Sequence, residues 1–150
     1  MPPITVFVAD SEKRRSELCL RLLGAAKIRV VGTARTAKEA IVGAALKPQV
    51  LLFDLKINRS NAVPALMLIR ARIPHTKVIL LTGRSPDTQI LEAISQGARG
   101  YLDQTIIRRF LVKAVRVVNA GESWVPRAMV AKIIDRLARL NPQKARLPKR

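Results

Sequence analysis

Five short apolar runs recur along the chain, at Ile4 to Ala9, Ile28 to Ala34, Val50 to Phe53, Val78 to Leu81 and Ala98 to Leu102, each followed by a longer stretch with helical spacing. Strand followed by helix, five times over, is the pattern of a parallel sheet wrapped by helices. Val50-Leu51-Leu52-Phe53 and Val78-Ile79-Leu80-Leu81 show no polar alternation, which predicts interior strands covered on both faces. The helical stretches carry start signals. Thr36-Ala37-Lys38-Glu39 reads as a capping box. Ser85-Pro86-Asp87 reads as an N-cap hydroxyl, a proline at the first helical position and an acid at the positive end of the helix dipole. From Ile107 to Val118 the apolar residues fall on one helical face, leaving Arg108, Arg109, Lys113 and Arg116 outside. After Ala120-Gly121 the alternation stops, and Pro126 opens one more helix with Met129, Val130, Ile133, Ile134 and Leu137 on one side. The expected organisation is an α/β unit over residues 1–121, an appended or linker helix over 122–140, and a flexible basic tail over 141–150.

At 150 residues and 49% hydrophobic content the chain can bury one domain-sized core. Charge adds a second theme: 28 Lys and Arg against 10 Asp and Glu give a formal +18, which favours anionic partners. The excess is spread, with 20 basic against 8 acidic residues in 1–120 and 8 against 2 in the remainder. An even spread suits general attraction to phosphates better than an element that reads base sequence. Only 3% of residues are aromatic, too few for a platform that stacks single-stranded bases. The single cysteine, Cys19, excludes an intrachain disulfide and a cysteine-rich zinc site, and beside Leu18 and Leu20 it reads as a buried hydrophobe. The start Met1-Pro2-Pro3 lacks a basic stretch before an apolar run, and no run approaches membrane-span length. A cytoplasmic protein with no membrane partner is expected.

In an open parallel sheet, ligands bind at the carboxyl ends of the strands. Those ends carry Asp10, Ser11 and Glu12 after the first run, Asp54 after the third, Thr82 after the fourth, and Asp103-Gln104 after the fifth. Carboxylates from two strands beside a hydroxyl suit a hard cation such as Mg²⁺ with an anionic group next to it. Neither GxGxxG after the first run nor GxxxxGK[ST] anywhere is present, so the backbone cradles for dinucleotides and nucleoside triphosphates are missing. Gly32 is a turn residue, and His75, after Pro74, reads as a solvated loop histidine.

Val6-Phe7-Val8-Ala9-Asp10, Leu51-Leu52-Phe53-Asp54, Val78 to Gly83 and Gly97 to Leu102, in this order, resemble the receiver domain of bacterial response regulators over about residues 4–120. The ending Gly121 to Pro126 followed by a helix resembles more narrowly the NarL/FixJ group, whose receivers precede a LuxR-type helix-turn-helix DNA-binding domain. The resemblance implies a flavodoxin-like (βα)5 doubly wound sheet of order 2-1-3-4-5. It also implies a phosphoacceptor at Asp54 and Mg²⁺ held by Asp54, Asp10 and the Lys56 carbonyl, with Glu12 as a further candidate ligand. Thr82 and Tyr101 match the family's switch pair. The implied partners are a sensor histidine kinase or other signalling protein, a second copy in a homodimer, and DNA through an output domain absent from this chain. The stripe Met129, Ile133, Leu137 is a candidate for pairing.

The departures lie in the site itself. Gln104 stands at the position of the family's lysine and Ser11 at that of the second metal acid. Losing one preorganised electrostatic donor typically costs about 10²–10³ in rate, and a neutral hydroxyl is a weaker metal ligand than a carboxylate, so Mg²⁺ binding is expected to be weak or lost. Ile57-Asn58 replace the family's Met-Pro pair, and Ala62 takes a usual glycine position. These changes favour a receiver that is weakly phosphorylated or independent of phosphorylation. An ordinary receiver phosphorylated at Asp54 and a basic module contacting DNA directly remain open. A free-standing enzyme is disfavoured: an aspartyl-phosphate phosphatase needs a carboxylate two residues after its nucleophile, and Leu55-Lys56 follow Asp54.

Overall fold

The computed structural model describes residues 2–59, 61–83 and 85–140. Its elements are β1 (Thr5–Ala9), α1 (Lys13–Ala25), β2 (Arg29–Ala34), α2 (Ala37–Gly43), a 3₁₀ turn (Ala44–Leu46), β3 (Val50–Asp54), α3 (Val63–Arg72), β4 (Lys77–Thr82), α4 (Asp87–Ser95), β5 (Gly100–Asp103), α5 (Ile107–Asn119) and α6 (Arg127–Leu140). The strands form one parallel sheet of order β2-β1-β3-β4-β5. β3 is buried throughout and β4 nearly so, in agreement with their unalternated apolar sequences.

Alternate residues of each strand feed two half-cores. Val6, Val8, Val50, Leu52, Ile79 and Leu81 face Cys19 and Leu23 of α1 and Ile107, Leu111, Ala114, Val115 and Val118 of α5. Phe7, Ala9, Leu51, Phe53, Val78 and Leu80 face α2, α3 and α4, and Met129 of α6 joins them. This alternation aims the strand-end residues: Asp10 and Asp54 continue the α1/α5 face, whereas Thr82 continues the α3/α4 face.

The cap of α2 forms largely as its sequence predicts. The Glu39 amide donates to Thr36 Oγ1 at 3.1 Å, while Glu39 Oε1 accepts from the Arg35 amide at 2.9 Å, one residue before the cap. The expected start of α4 requires a correction. Pro86 is extended (φ −61°, ψ 146°) and lies outside the helix, which begins at Asp87. Ser85 is therefore a residue too early to reach the first-turn amides, and its buried Oγ has no hydrogen-bond partner among the described residues.

The apolar stripe of α6 also divides differently from expectation. Met129 is buried and Ile133 packs on the α3/α4 half-core, so these two belong to the interior of the chain, and Leu137, Val130 and Ile134 are exposed. Before α6, Trp124 forms a parallel bridge with Gly100 at the free edge of β5, through Trp124 N to Arg99 O and Tyr101 N to Trp124 O, both 3.0 Å. Only a glycine admits this approach, because a Cβ at position 100 would lie 2.8 Å from the Trp124 carbonyl oxygen. The bridge covers part of an edge that would otherwise present unpaired amides. The expected tail over 141–150 lies outside the described residues.

Candidate functional site

Asp10 and Asp54 end neighbouring strands, since Ala9 pairs with Phe53, and both carboxylates are buried. They meet through a third residue. Arg15, in the first turn of α1, lies on the same inward stripe as Cys19 and Leu23 and is only 6% exposed. Its Nε donates to Asp10 Oδ2 at 2.7 Å and its Nη2 to Asp10 Oδ1 at 2.8 Å, a bidentate fork. Nη2 is also 3.2 Å from Asp54 Oδ1, and Nη1 is 3.5 Å from the exposed Glu12 carboxylate. One guanidinium thus serves three carboxylates.

Asp54 is engaged on both oxygens. Oδ2 accepts from the Ser11 hydroxyl at 2.6 Å and the Ser11 amide at 3.1 Å. Oδ1 accepts from the Lys56 amide at 2.8 Å. Asp10 Oδ1 further accepts from the Glu12 amide at 2.9 Å. Burial pushes the Asp10 carboxyl above its usual range, against the pull of the hydrogen bonds and charge of Arg15. Burial alone would lower Arg15, but the hydrogen bond and charge of Asp10, followed by Asp54 and Glu12, hold its guanidinium above the ordinary arginine value.

The remaining predicted residues surround this knot. Ser11, Glu12, Arg15, Asp54, Lys56 and Gly83 line a depression of about 290 Å³. Gln104 is exposed, its backbone N–H donating to the Thr82 carbonyl at 2.9 Å and its side-chain oxygen lying beside Gly83. Thr82 is buried. Tyr101, opposite Leu80 in register, is half-buried against the α3/α4 half-core, so the two residues of the expected switch share a face of the sheet. Burial, then the Asp87 and Asp103 carboxylates, push the Tyr101 hydroxyl above its ordinary pKa. His75 is exposed. Sequence reasoning missed Arg15. The available signal was the i, i+4, i+8 spacing of Arg15, Cys19 and Leu23, which places an arginine where a core residue belongs.

The residues in this arrangement do not fit a divalent cation. Arg15 and the Glu12 amide take the Asp10 oxygens, and the Glu12 side chain lies out at the surface beside Arg15. The Lys56 carbonyl accepts the Arg59 amide at 2.8 Å in a turn that puts Arg59 at φ 60°. Among the described residues no group of three or more acidic, histidine or cysteine side chains is gathered to hold a metal.

A parallel five-stranded sheet of order 2-1-3-4-5, with an acidic end on β1 and β3 and a buried threonine on β4, defines a receiver, and the chain belongs to the response regulator receiver domain family, whose sequence pattern matches residues 6–116. The transcriptional regulatory protein LnrK of Bacillus subtilis is 31% identical over 131 residues, covering 87% of this chain and 60% of LnrK. The response regulator protein VraR of Staphylococcus aureus is 32% identical over 133 residues, covering 88% of this chain and 64% of VraR. The chain therefore spans less than two thirds of the length of either relative. Among solved structures, the signal receiver domain of NarL from Mycobacterium tuberculosis is 26% identical with a TM-score of 0.74, covering 81% of this chain and all of that one. Response regulators are generally not enzymes, and receivers typically bind Mg²⁺ at the acidic phosphorylation site. No helix among the described residues is long and apolar enough to cross a membrane.

Proposed function

We propose that this chain is the signal-input domain of a two-component response regulator controlling transcription, and that its acceptor site is degenerate, so that Asp54 is phosphorylated weakly or not at all. The observation that carries this reading is the engagement of both oxygens of Asp54. Ser11 Oγ and N donate to one and Lys56 N to the other, and the Arg15 guanidinium lies 3.2 Å from Oδ1 as an ion-pair partner, on a carboxylate with about four lone-pair sites. Attack on phosphorus draws on a carboxylate lone pair, and donors and a cation that already hold both oxygens make it a weaker nucleophile. Gln104 adds to this, since an uncharged amide replaces the family's lysine beside the phosphoryl position.

In this reading residues 1–121 receive the signal, 122–140 carry it outward, and 141–150 lead on to an output domain that contacts DNA. The partners are a histidine kinase or another signalling protein and a second copy of the chain, and the compartment is the cytoplasm. Thr82 and Tyr101 are the pair through which a change at the acidic end would reach α4 and α6.

Intact-mass measurement after incubation with a small-molecule phosphodonor and Mg²⁺, with Asp54→Asn as control, tests the reading. The expected result is no phosphoryl adduct, or a minor fraction lost in the variant. Complete conversion at Asp54 would make this an ordinary phosphorylated receiver.

A direct contact with nucleic acid has one observation in its favour. The groove of about 530 Å³ between α1 and the start of α5 is lined by Arg14, Arg15, Arg21 and Arg108 with Glu12 and Glu17, and a net basic groove attracts a phosphate backbone. Retention on duplex DNA that weakens steeply with salt would support this second reading, and no retention at low salt would remove it.

A further inference from the structure

We infer that this receiver carries its own resident cation: the Arg15 guanidinium takes the place between Asp10 and Asp54 that a divalent ion takes in the family, and closes the acidic end of the sheet to metal. The inference rests on the degenerate-site reading above and names what fills the site. Three observations converge on it.

The first is geometric. All three guanidinium nitrogens are used, Nε and Nη2 on Asp10, Nη2 also on Asp54, and Nη1 toward Glu12. Mg²⁺ requires oxygen ligands at about 2.0–2.1 Å in near-octahedral order and retains several waters. The Asp10 oxygens that would join this shell are already held at 2.7 and 2.8 Å by a planar fork, and Asp54 Oδ1 lies 3.2 Å from the same guanidinium.

The second concerns permanence. A lysine in this position could release its proton and withdraw, but arginine stays charged at every pH a folded protein meets. Arg15 is buried, and its helix is anchored on the sheet by Cys19 and Leu23. Swinging the guanidinium out would leave the buried Asp10 carboxylate without its partner, which is costly.

The third is electrostatic. A fixed positive charge about 3 Å from both aspartates repels an approaching divalent ion while performing the neutralisation that the ion would provide. The carboxylates then hold one arrangement whatever the metal concentration. The state of this receiver is accordingly set by its own side chains and by protein partners, with metal removed as a variable.

Mn²⁺ is the probe, read by site-specific paramagnetic broadening of the amide signals of Ser11, Leu55, Lys56 and Gly83 in the ¹⁵N-labelled chain. The wild type is expected to show no such broadening. Arg15→Met, which keeps the length and removes the charge, is expected to gain it. Its melting temperature should rise with added Mg²⁺ while that of the wild type stays unchanged. Selective broadening in the wild type overturns the inference even if the variant does not fold, and a folded variant that ignores both metals overturns it too. The two proposals fail separately. Mn²⁺ binding by a wild type that forms no phosphoryl adduct sinks the resident cation alone. Chelator-resistant conversion of Asp54 without Mn²⁺ binding sinks the degenerate acceptor alone.

Discussion

The two sides of this receiver differ in how completely their polar groups are paired. At the β1/β3 end every carboxylate oxygen of two buried aspartates has a donor, and a guanidinium ties the pair to α1. On the β4/α4 side, Ser85 Oγ and Gln89 Oε1 are buried without partners among the described residues, and α6 meets the start of α4 through the exposed ion pair of Lys132 with Asp87. Satisfied buried networks rigidify, whereas unpaired buried groups cost free energy that a rearrangement can recover. The difference places order at the acidic end and adaptability at α4 and α6. The unpaired buried groups of this protein thus lie away from the paired aspartates of the acidic end.

The strongest way to break the contrast is Asp10→Ala. It removes both hydrogen-bond acceptors of the buried guanidinium, leaving it only the ion pairs with Asp54 and Glu12, and should destabilise the chain by about 3 kcal/mol in a denaturant titration; a loss below about 1 kcal/mol would mean that the network is not rigid. Next comes Gly100→Ala, whose Cβ would push against the Trp124 carbonyl at 2.8 Å. Overpacking of this kind costs about 1–3 kcal/mol, visible as a lower melting temperature by circular dichroism, and an unchanged value would show that the edge bridge yields freely.

A third test uses pH. Burial, with the nearby Asp10 carboxylate adding to it, pushes the Cys19 thiol from 9.0 to about 12. A raised folded-state pKa gives stability that is complete below pH 9 and is lost as pH rises from 9 to about 12, because the unfolded thiol ionises first. Alkaline denaturation should accordingly be shallower in Cys19→Ala over that window, and equal slopes would contradict the burial. The smallest effect belongs to Asp87→Asn. The exposed pair with Lys132 should contribute little and be screened by salt, so the variant is expected to unfold with the wild type at moderate ionic strength. A clear loss there would move α6 from the adaptable side of the comparison to the rigid one.

Much of this architecture is written in short-range pattern. Unbroken apolar runs such as Val50 to Phe53 and Val78 to Leu81, with Val, Ile and Phe among them, specify buried strands when a helical stretch follows each one, and Thr36 with Glu39 marks a helix start through chemistry contained in four residues. The convergence of Asp10 and Asp54 follows from strand order and could be placed from the family resemblance. Arg15 was masked for a physical reason: its spacing with Cys19 and Leu23 puts it on the inward stripe, but an arginine following Lys13-Arg14 reads as another solvated charge, and only its partnership with two aspartates that are distant or folded back from it makes burial tolerable. Ser85 failed as a cap because Pro86 can serve either as the first helical residue or as the extended one before it. Met129 and Ile133 departed from the expected pairing stripe because helical phase alone does not say whether an apolar face meets the chain's own core or a second chain, and only Leu137 of the three is left exposed.

Trp124 is the only tryptophan in the sequence. Its ring lies 5.6 Å from that of Phe110, tilted by 42°, at the junction where the chain leaves the sheet edge and enters α6. The sequence thus has a single indole, stationed at the junction between the sheet edge and the last helix. Excited at wavelengths that Tyr101 does not absorb, it would report a change at that junction with no label attached.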